Sequence, residues 1–405
     1  MTDVAEDPEA VGPFEAMAMA AMEDLAAPQE GYLALIARGG YVEPMEGLGV
    51  SYARAATDYV LRHHEQFSSN MMLGLGNVRP LIPLNVDPPM HSKYRKMLDP
   101  LFAPRRMDEQ EEDITRRVNL FIDAFIDRGE CNFSEEFAEL FPSSVFLGLM
   151  GLPENELRMF LHMRDGVLHP EKRDPNALFD PDARRRVMDA GGQEIYEYFG
   201  SLVDERRRKP ADDIITMFAE AEIDGERLSR DDILDICFLM LIAGLDTVSD
   251  TLTCSYAFLA THPGHRQLIV DDPAVIPTAV EELLRWESPV ASGVPRIAMC
   301  PVELPNGSRV GEGTAVMPCY GAANMDPAVY DDPLEVRFDR ENNPHIAFGA
   351  GVHRCLGSHL ARRELRATLR EWHRRIPDYR IKPGHEELVY PPGLRHVKDL
   401  MLTWR

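Results

Sequence analysis

The chain has 405 residues, 44% of them hydrophobic and 27% charged, a composition typical of a folded globular protein and too apolar for general disorder. Asp and Glu total 67 against 43 Lys and Arg, so the formal net charge is −24, which disfavours nucleic acid and anionic lipid as partners. No stretch approaches the roughly 20 apolar residues of a membrane span, and no signal-peptide pattern opens the chain. We therefore expect a cytoplasmic protein that does not bind membranes.

Helical periodicity dominates the first two thirds of the chain. Residues 1–30 have weak periodicity and are predicted to form a loosely structured lead-in. Amphipathic runs then predict helices over about 105–128, 134–150, 154–168 and 183–208. The chain is therefore predicted to be mainly helical.

The longest predicted helix starts at Ser229, an N-cap residue with Asp232 three positions later, and runs to about Thr261, where a His-Pro pair stops it. The segment Ile236–Leu245 is almost wholly apolar, which indicates burial on all sides. We expect this helix to cross the whole domain.

Strand signals concentrate after Pro289 and predict small sheets beside the helices. The short extended segments are 296–298, 302–304, 309–310 and 314–317, with a hairpin turn at Asn306-Gly307. An irregular stretch rich in Pro, Asp and Asn follows over 324–344.

Six cysteines lie far apart, and five of them, at 131, 237, 254, 300 and 319, are interpreted as small buried hydrophobic residues. The sixth, Cys355, lies in the loop 348–357, Phe-Gly-Ala-Gly-Val-His-Arg-Cys-Leu-Gly, ahead of a helical run over 358–376. For an isolated cysteine, a buried residue in a glycine-rich turn would be the favoured reading. The agreement of several loop positions instead favours a thiolate ligand to iron.

Each loop position has a physical reason in that interpretation. Gly349 and Gly351 tolerate positive φ and allow close backbone approach. Backbone N–H groups and the following helix start would lower the pKa of Cys355 and keep it ionised. Phe348 would exclude water, and Gly357 would let the next helix pack closely.

Four separated motifs resemble those of cytochrome P450 enzymes, in the order found in that family. They are Asp87-Pro88-Pro89-Met90-His91 with Arg95, Ala243-Gly244-Leu245-Asp246-Thr247, Glu282-Leu283-Leu284-Arg285 and the cysteine loop. Segments 131–135 and 361–364 are similar to the camphor-oxidising members of the soluble bacterial class. The resemblance implies a single P450 domain over 1–405, mainly α with small β-sheets, holding one haem b between the long central helix and the cysteine loop.

The resemblance also implies roles for individual residues. Cys355 would bind the iron, Asp246 and Thr247 would deliver protons to iron-bound oxygen, and Glu282, Arg285 and Arg340 would form a structural network behind the haem. The alternative for Thr247 is a hydrogen bond back to the carbonyl of Ala243. Asp246 in an apolar helix would be costly unless it pairs or relays protons. The implied cofactor contacts are His91, Arg95, Ala243, Gly244, Arg296, Phe348, Gly349, His353 and Gly357.

The substrate pocket implied by the resemblance is largely apolar. Its predicted walls are Met72, Leu81, Leu239, Ile242, Ala243, Val290, Val294 and Leu394. Arg79 stands where the camphor-oxidising enzyme has a tyrosine, so it would either pair with a substrate carboxylate or face solvent. The expected substrate is a terpenoid, branched or fatty acyl compound that is hydroxylated with dioxygen.

Electrons must come from outside the chain, and we expect a ferredoxin with its reductase as their source and a monomeric enzyme. A cationic face formed by Arg105, Arg106, Arg354, Arg362 and Arg363 would attract the acidic partner, although solvated helix ends explain these residues equally well. Two alternatives remain open: a peroxygenase driven by hydrogen peroxide, and a haem-based sensor or ligand-binding protein without turnover.

Overall fold

The computed structural model describes residues 26–391 and 393–404 of the chain, and helices make up most of this part. The α-helices in chain order are α1 (Pro28–Ala37), α2 (Arg54–Arg62), α3 (Met90–Leu98), α4 (Pro104–Asp108), α5 (Glu111–Asp123), α6 (Leu140–Met150), α7 (Leu157–Leu168), α8 (Pro170–Arg173), α9 (Pro181–Arg208), α10 (Ile214–Glu220), α11 (Arg230–Gly244), α12 (Thr247–Thr261), α13 (Pro263–Asp271), α14 (Ile276–Glu287), α15 (Tyr320–Ala323) and α16 (Ser358–Arg375). A π-helix at Ser134–Ala138 precedes α6.

The strands are short and pair into small sheets. They are β1 (Tyr41–Met45), β2 (Leu48–Ser51), β3 (Phe67–Ser68), β4 (Glu130–Asn132), β5 (Glu222–Ile223), β6 (Glu226–Arg227), β7 (Arg296–Ala298), β8 (Val302–Glu303), β9 (Arg309–Val310), β10 (Ala315–Pro318), β11 (Arg380–Ile381) and β12 (Met401–Thr403). A mixed five-stranded sheet has the order β1-β2-β10-β7-β3, with β10 parallel to β2 and antiparallel to β7. An antiparallel sheet has the order β11-β12-β4, and β5–β6 and β8–β9 are two-stranded.

The predicted architecture, mainly α with small sheets, is confirmed. The segments predicted after Pro289 form β7 to β10 within one residue of their expected ends, and Gly307 takes φ +83° in the β8–β9 turn. The sequence signal underestimated the sheets, however, because β1, β2 and β3 join the same sheet as β7 and β10. Strand β1 carries Glu43 and Pro44 and is exposed along most of its length, so it lacks the alternation that marks a half-buried strand.

The predicted lead-in over 1–30 is only partly described, since residues 1–25 lie outside the described residues. Helix α1 already begins at Pro28, where the fixed φ of proline suits the first helical turn. Tyr32 is buried and packs with Val50 and Tyr52 on the five-stranded sheet. The end of the predicted lead-in is therefore helical.

The predicted long helix is two helices. Ser229 and Asp232 form a reciprocal capping box at the start of α11, as predicted, but the helix ends at Gly244. Leu245 and Asp246 interrupt it, with Asp246 at φ −129° and ψ −51°, and α12 then continues to Thr261. The carbonyl of Leu245 accepts hydrogen bonds from Arg164 Nη1 at 3.2 Å and from Ser143 Oγ at 3.4 Å. The break is stabilised because these side chains donate to a carbonyl that lacks a backbone N–H donor from the next helical turn.

Helix α12 lies in the main core, where it is buried from Ser249 to Ala260. It packs on α16 through Tyr256 and Trp372, whose ring centroids are 5.1 Å apart. Helix α16 follows the cysteine loop directly, so the two segments predicted to flank the cofactor belong to one packed unit. Among the described residues, no helix is long and apolar enough to cross a bilayer.

Candidate active site

The loop that carries Cys355 is fixed by its glycines. Gly349 and Gly351 have φ values of +66° and +69°, in the left-handed region that favours glycine, as predicted. At Gly351 a Cβ would lie 2.1 Å from the carbonyl oxygen of Leu61, so the loop packs directly on α2. The backbone N–H of Cys355 donates to the carbonyl of Phe348 at 2.9 Å. These contacts hold the sulfur in one place.

Cys355 differs from the other described cysteines in being exposed, whereas Cys300 is half-buried and the rest are buried. Burial by surrounding atoms still raises its pKa and outweighs the backbone N–H of Gly357 and the charge of Arg95, which lower it. The predicted effect of a backbone N–H group is present at Gly357, but it is smaller than that of burial. A coordinated metal ion would add the positive charge that favours the thiolate.

Two glycines assigned to the cofactor have other surroundings than expected. A Cβ on Gly357 would meet no protein atom within 4 Å, so the predicted close helix packing at this position is wrong. The space beside it is open. A Cβ on Gly244 would lie 2.4 Å from Cδ2 of Phe146, so this glycine is required by the packing of α11 on α6.

Four predicted polar contacts converge next to the loop. The rings of His91 and His353 lie 4.1 Å apart, and both ring nitrogens of His91 are buried with no hydrogen-bond partner among the described residues. Burial lowers the pKa of His91 to about 4 and that of His353 to about 2, with the charge of Arg95 adding to both shifts. Arg95 Nη1 donates to the carbonyl of Arg354 at 2.8 Å, beside Cys355.

Arg296 completes this cluster. It is 4% exposed, its Nη1 donates to the carbonyls of Val294 and Pro295, and no described carboxylate lies within 4 Å of it in an ion pair. Burial lowers its pKa accordingly. His353 is held by a hydrogen bond between its Nε2 and Ser69 Oγ at 2.9 Å, so only the His91 ring lacks a partner among the described residues. A buried cation beside an unpartnered imidazole favours an anionic group, so the cluster fits haem propionates.

A stripe of accessible residues runs along the otherwise buried α11 and the start of α12. Ala243 is exposed, and Leu239, Gly244, Thr247 and Val248 are half-buried, at spacings that place them on neighbouring turns. Leu239 and Val248 border the same core as Phe348 and Leu356 of the cysteine loop. The interior therefore has open surface on both segments predicted to enclose the cofactor.

The predicted acid–alcohol pair stands at the helix break. Thr247 Oγ1 donates to the carbonyl of Ala243 at 3.2 Å, which is the structural alternative considered for this residue. Asp246 is 3% exposed and accepts from His169 Nε2 at 2.9 and 3.1 Å, with Arg164 Nη1 3.3 Å away. These two cations hold the pKa of Asp246 well below its usual range despite its burial.

Sequence reasoning indicated that Asp246 needs a partner but did not find Arg164 or His169. Both lie near the end of α7, and His169 is 77 positions away from Asp246. Its pKa is raised to about 10, because the charge of Asp246 outweighs burial. Local sequence carried no signal for this contact.

The predicted structural triad forms a fully buried network. Glu282 accepts from Arg285 through both oxygens at 2.8 Å, and Arg340 Nε lies 3.2 Å from the same carboxylate. Asn343 adds a further donor to Glu282 at 3.0 Å. Glu282 and Arg285 are both 0% exposed, so these residues shape the interior of the fold and are not a surface pair.

The predicted pocket walls divide into two groups. Leu239, Ala243, Val290, Val294 and Leu394 have accessible surface, and Met72 is exposed. Leu81 and Ile242, at 0% and 5% exposure, pack into the main core. Their predicted contact with substrate stays a prediction.

Arg79 does not have either of its two expected surroundings. Its Nε donates to Asp235 Oδ2 at 2.8 Å, Asp231 lies 3.5 Å from Nη1, and its guanidinium lies 5.1 Å from the ring centre of Tyr196. Tyr196 also donates to Asp235 at 3.0 Å. Arg79 thus ties the loop 67–84 to α9 and α11, and its charge is compensated inside the protein.

An exposed loop cysteine, a cluster of two arginines and two imidazoles around the buried Arg296, and a stripe of accessible small and apolar residues are typical of a haem–thiolate class of site. The family model for cytochrome P450 matches residues 58–272 and 274–375. The chain belongs to the cytochrome P450 family, it is a P450 monooxygenase, and its cofactor is haem.

Similar proteins are spread over several bacteria. The chain is 34% identical to probable cytochrome P450 127A1 of Sinorhizobium fredii over 85% of this chain and 80% of that protein. It is 31% identical to a steroid C26-monooxygenase of Mycolicibacterium smegmatis over 81% of both chains. Among solved structures, that of CYP101J2 matches with a TM-score of 0.80 at 31% identity over 93% of each chain.

Proposed function

We propose that this enzyme hydroxylates a hydrophobic small molecule with dioxygen and with electrons from a ferredoxin. The observation that carries the proposal is the combination of an accessible Cys355 with a helix interrupted at Asp246. Leu356, next to the cysteine, and Val248, just after the break, pack against the same core. Ala243, just before the break, is exposed, and the break itself carries a carboxylate and an alcohol at consecutive positions.

Each residue near the cofactor has one task in this proposal. Cys355 would bind the iron, Arg296 would neutralise propionate charge, and the neutral rings of His91 and His353 would offer hydrogen bonds to the propionates. When bound, the haem supplies the oxygen-activating chemistry of the family. Asp246 holds or moves a proton next to the hydroxyl of Thr247, which can turn away from the carbonyl of Ala243 because that bond is long and accessible.

The electron supply is proposed from the charges around the cysteine loop. Arg105, Arg106 and Arg354 are exposed and have no ion pair among the described residues. Arg362 is engaged with Glu281 at 2.7 Å and Arg363 with an aspartate of α4, so they add less free charge than expected. Three accessible arginines on a strongly acidic chain form a local docking area for an acidic ferredoxin.

The proposed substrate class is terpenoid, branched or fatty acyl. The accessible pocket residues Leu239, Ala243, Val290, Val294 and Leu394 are all apolar, which favours recognition by shape. The similarity to steroid C26-monooxygenases supports a terpenoid-derived or branched substrate. Arg79 is compensated by Asp235, which disfavours a substrate held through its carboxylate.

The first test is the absorption spectrum of the reduced protein with carbon monoxide, before and after Cys355→Ser. We expect a thiolate-type spectrum that is lost in this variant and retained in Cys300→Ser, the matched control at the other cysteine that is not fully buried. An unchanged spectrum in Cys355→Ser contradicts the ligand assignment.

The second test separates the proposal from its alternatives. A terpenoid or fatty acid that shifts the haem spectrum is incubated with the enzyme in two reactions. The first contains ferredoxin, reductase and oxygen, and the second contains hydrogen peroxide alone. Product only in the first reaction supports the proposal, product mainly with peroxide supports a peroxygenase, and no product in either supports a ligand-binding protein. Thr247→Ala should consume oxygen without forming product. The control Thr261→Ala loses an equivalent hydrogen bond, to the carbonyl of Ala257, and should still form product from the oxygen it consumes.

A further inference from the structure

A cluster of ionisable side chains lies behind the helix break, and one of its members has no role in the mechanism above. Asp250 stands one turn after Asp246 on α12 and is 4% exposed. Its Oδ2 is buried without a hydrogen-bond partner among the described residues. Its Oδ1 lies 3.8 Å from His396 Nδ1, which is too long for a hydrogen bond.

The groups around Asp250 come from three parts of the chain. Asp246 lies on the same helix, Arg164, His169 and Lys172 come from α7 and α8, and His396 comes from the C-terminal segment. The rings of His169 and His396 are 5.6 Å apart. Arg164 and Lys172 are themselves compensated by Glu139 at 2.6 and 3.3 Å, and Glu171 lies 3.7 Å from His169.

The two aspartates have opposite environments. Asp246 has two cationic donors and is ionised, whereas Asp250 has no donor and sits beside that negative charge. Burial and the charge of Asp246 raise the pKa of Asp250 well above its usual range. When the surroundings of two neighbouring carboxyls keep one protonated and the other ionised, the first can store a proton and the second can accept it and pass it on.

His396 is held close to Asp250 by a hydrogen bond to the backbone. Its Nδ1 donates to the carbonyl of Leu394 at 3.0 Å, which leaves Nε2 without a hydrogen in the neutral ring. Burial lowers its pKa, so the neutral form prevails. A neutral imidazole beside a neutral acid can pass a proton inward without holding a charge of its own.

We propose that Asp250 holds a proton at neutral pH and supplies it to Asp246 when the contacts of Asp246 with Arg164 and His169 open. The O–H bond of Asp250 breaks, an O–H bond forms on the Asp246 carboxylate, directly or through a water molecule, and the negative charge moves to Asp250. His396 then returns a proton from solvent to Asp250. Asp250 is thus a positioning residue for the proposed acid–alcohol pair, and this inference rests on the proposed function.

The first experiment detects the stored proton without turnover. Infrared spectra of the haem-loaded protein at neutral pH should contain a protonated carboxylic acid band that disappears in Asp250→Asn and remains in Asp204→Asn, a control at an ion-paired, exposed aspartate of α9. Because a folded-state pKa above the unfolded value makes stability fall as pH rises, Asp250→Asn should also gain stability relative to wild type with increasing pH. Absence of both effects overturns the proposal.

The second experiment tests the use of that proton. With substrate, ferredoxin, reductase and oxygen, Asp250→Asn should form product several-fold more slowly and with a larger solvent isotope effect, and Asp250→Glu should restore part of the rate. Equal product rates and isotope effects in wild type and Asp250→Asn overturn the relay even if the infrared band is present. If wild type forms no product while the infrared band is present, both the proposed function and the proton relay are wrong. The assignment of a proton to Asp250 would still hold in that case.

Discussion

The buried network of Glu282 gives the sharpest stability prediction. In Glu282→Gln the charge between Arg285 and Arg340 is lost while both guanidiniums remain buried. Arg285 keeps hydrogen bonds to backbone carbonyls at 2.9 and 3.0 Å, but these do not neutralise its charge. Removing one partner of a buried pair typically costs ~3–5 kcal/mol. We expect a loss of about 3–5 kcal/mol in the free energy of unfolding, because two cations remain without a counter-ion.

The matched control is Arg185→Gln in α9, which removes an exposed pair with Asp182 at the same three-residue spacing and should change stability by less than about 1 kcal/mol. Urea unfolding is measured with and without haem, since a bound cofactor alters the apparent stability. The rate of haem loss should rise in Glu282→Gln as well. If Glu282→Gln loses no more stability than Arg185→Gln, the Glu282 carboxylate does not stabilise the fold by neutralising the buried arginines, and the reasoning is wrong.

Three further predictions concern the pocket and the helix break. His169→Ala should lose roughly 2–4 kcal/mol of stability at neutral pH, measured by urea unfolding. The pKa of His169 is raised from 6.5 to about 10 by Asp246, so this difference from wild type should shrink as pH rises towards about 10; a constant difference contradicts the pairing. Arg79→Ala should cost about 1–3 kcal/mol by leaving Asp235 buried without its cationic partner, and should speed substrate dissociation in stopped-flow spectra. Gly76 has φ +70°, and in Gly76→Ala the added Cβ would lie 2.1 Å from a carbonyl oxygen of α9. This variant should also speed substrate dissociation; unchanged rates contradict a role for the packing of loop 67–84 on α9 in retaining the substrate.

The local features of the site could be predicted because they need only neighbouring residues. The glycines around Cys355, the capping box at Ser229 and the spacing of Glu282 with Arg285 all follow from short-range geometry. Motif order then supplied the family and hence the fold. The cofactor roles of single residues remain predictions, but their convergence is visible in the contact of His91 with His353.

The contacts that could not be predicted join distant parts of the chain. Asp246 meets His169 across 77 positions, and Arg79 meets Asp235 across 156 positions. Burial alone indicated that Asp246 needs a partner, but nothing near it in sequence identifies which cation arrives. The desolvation of Cys355 could not be predicted for a related reason: backbone dipoles are local, whereas desolvation depends on every segment packed around the sulfur.

The two buried carboxylate networks differ in how they could respond to motion. Glu282 is bound by residues of its own helix and of the adjoining 333–343 segment, all inside one packed unit. Asp246 instead depends on Arg164 and His169 at the end of α7, an element that also contacts α9. A shift of α7 by a few ångströms would break both contacts of Asp246 and leave Glu282 unchanged, because a charge-assisted hydrogen bond weakens steeply beyond its normal length. Glu282 is thus held within one packed unit, whereas Asp246 is held by donors from a separate helix.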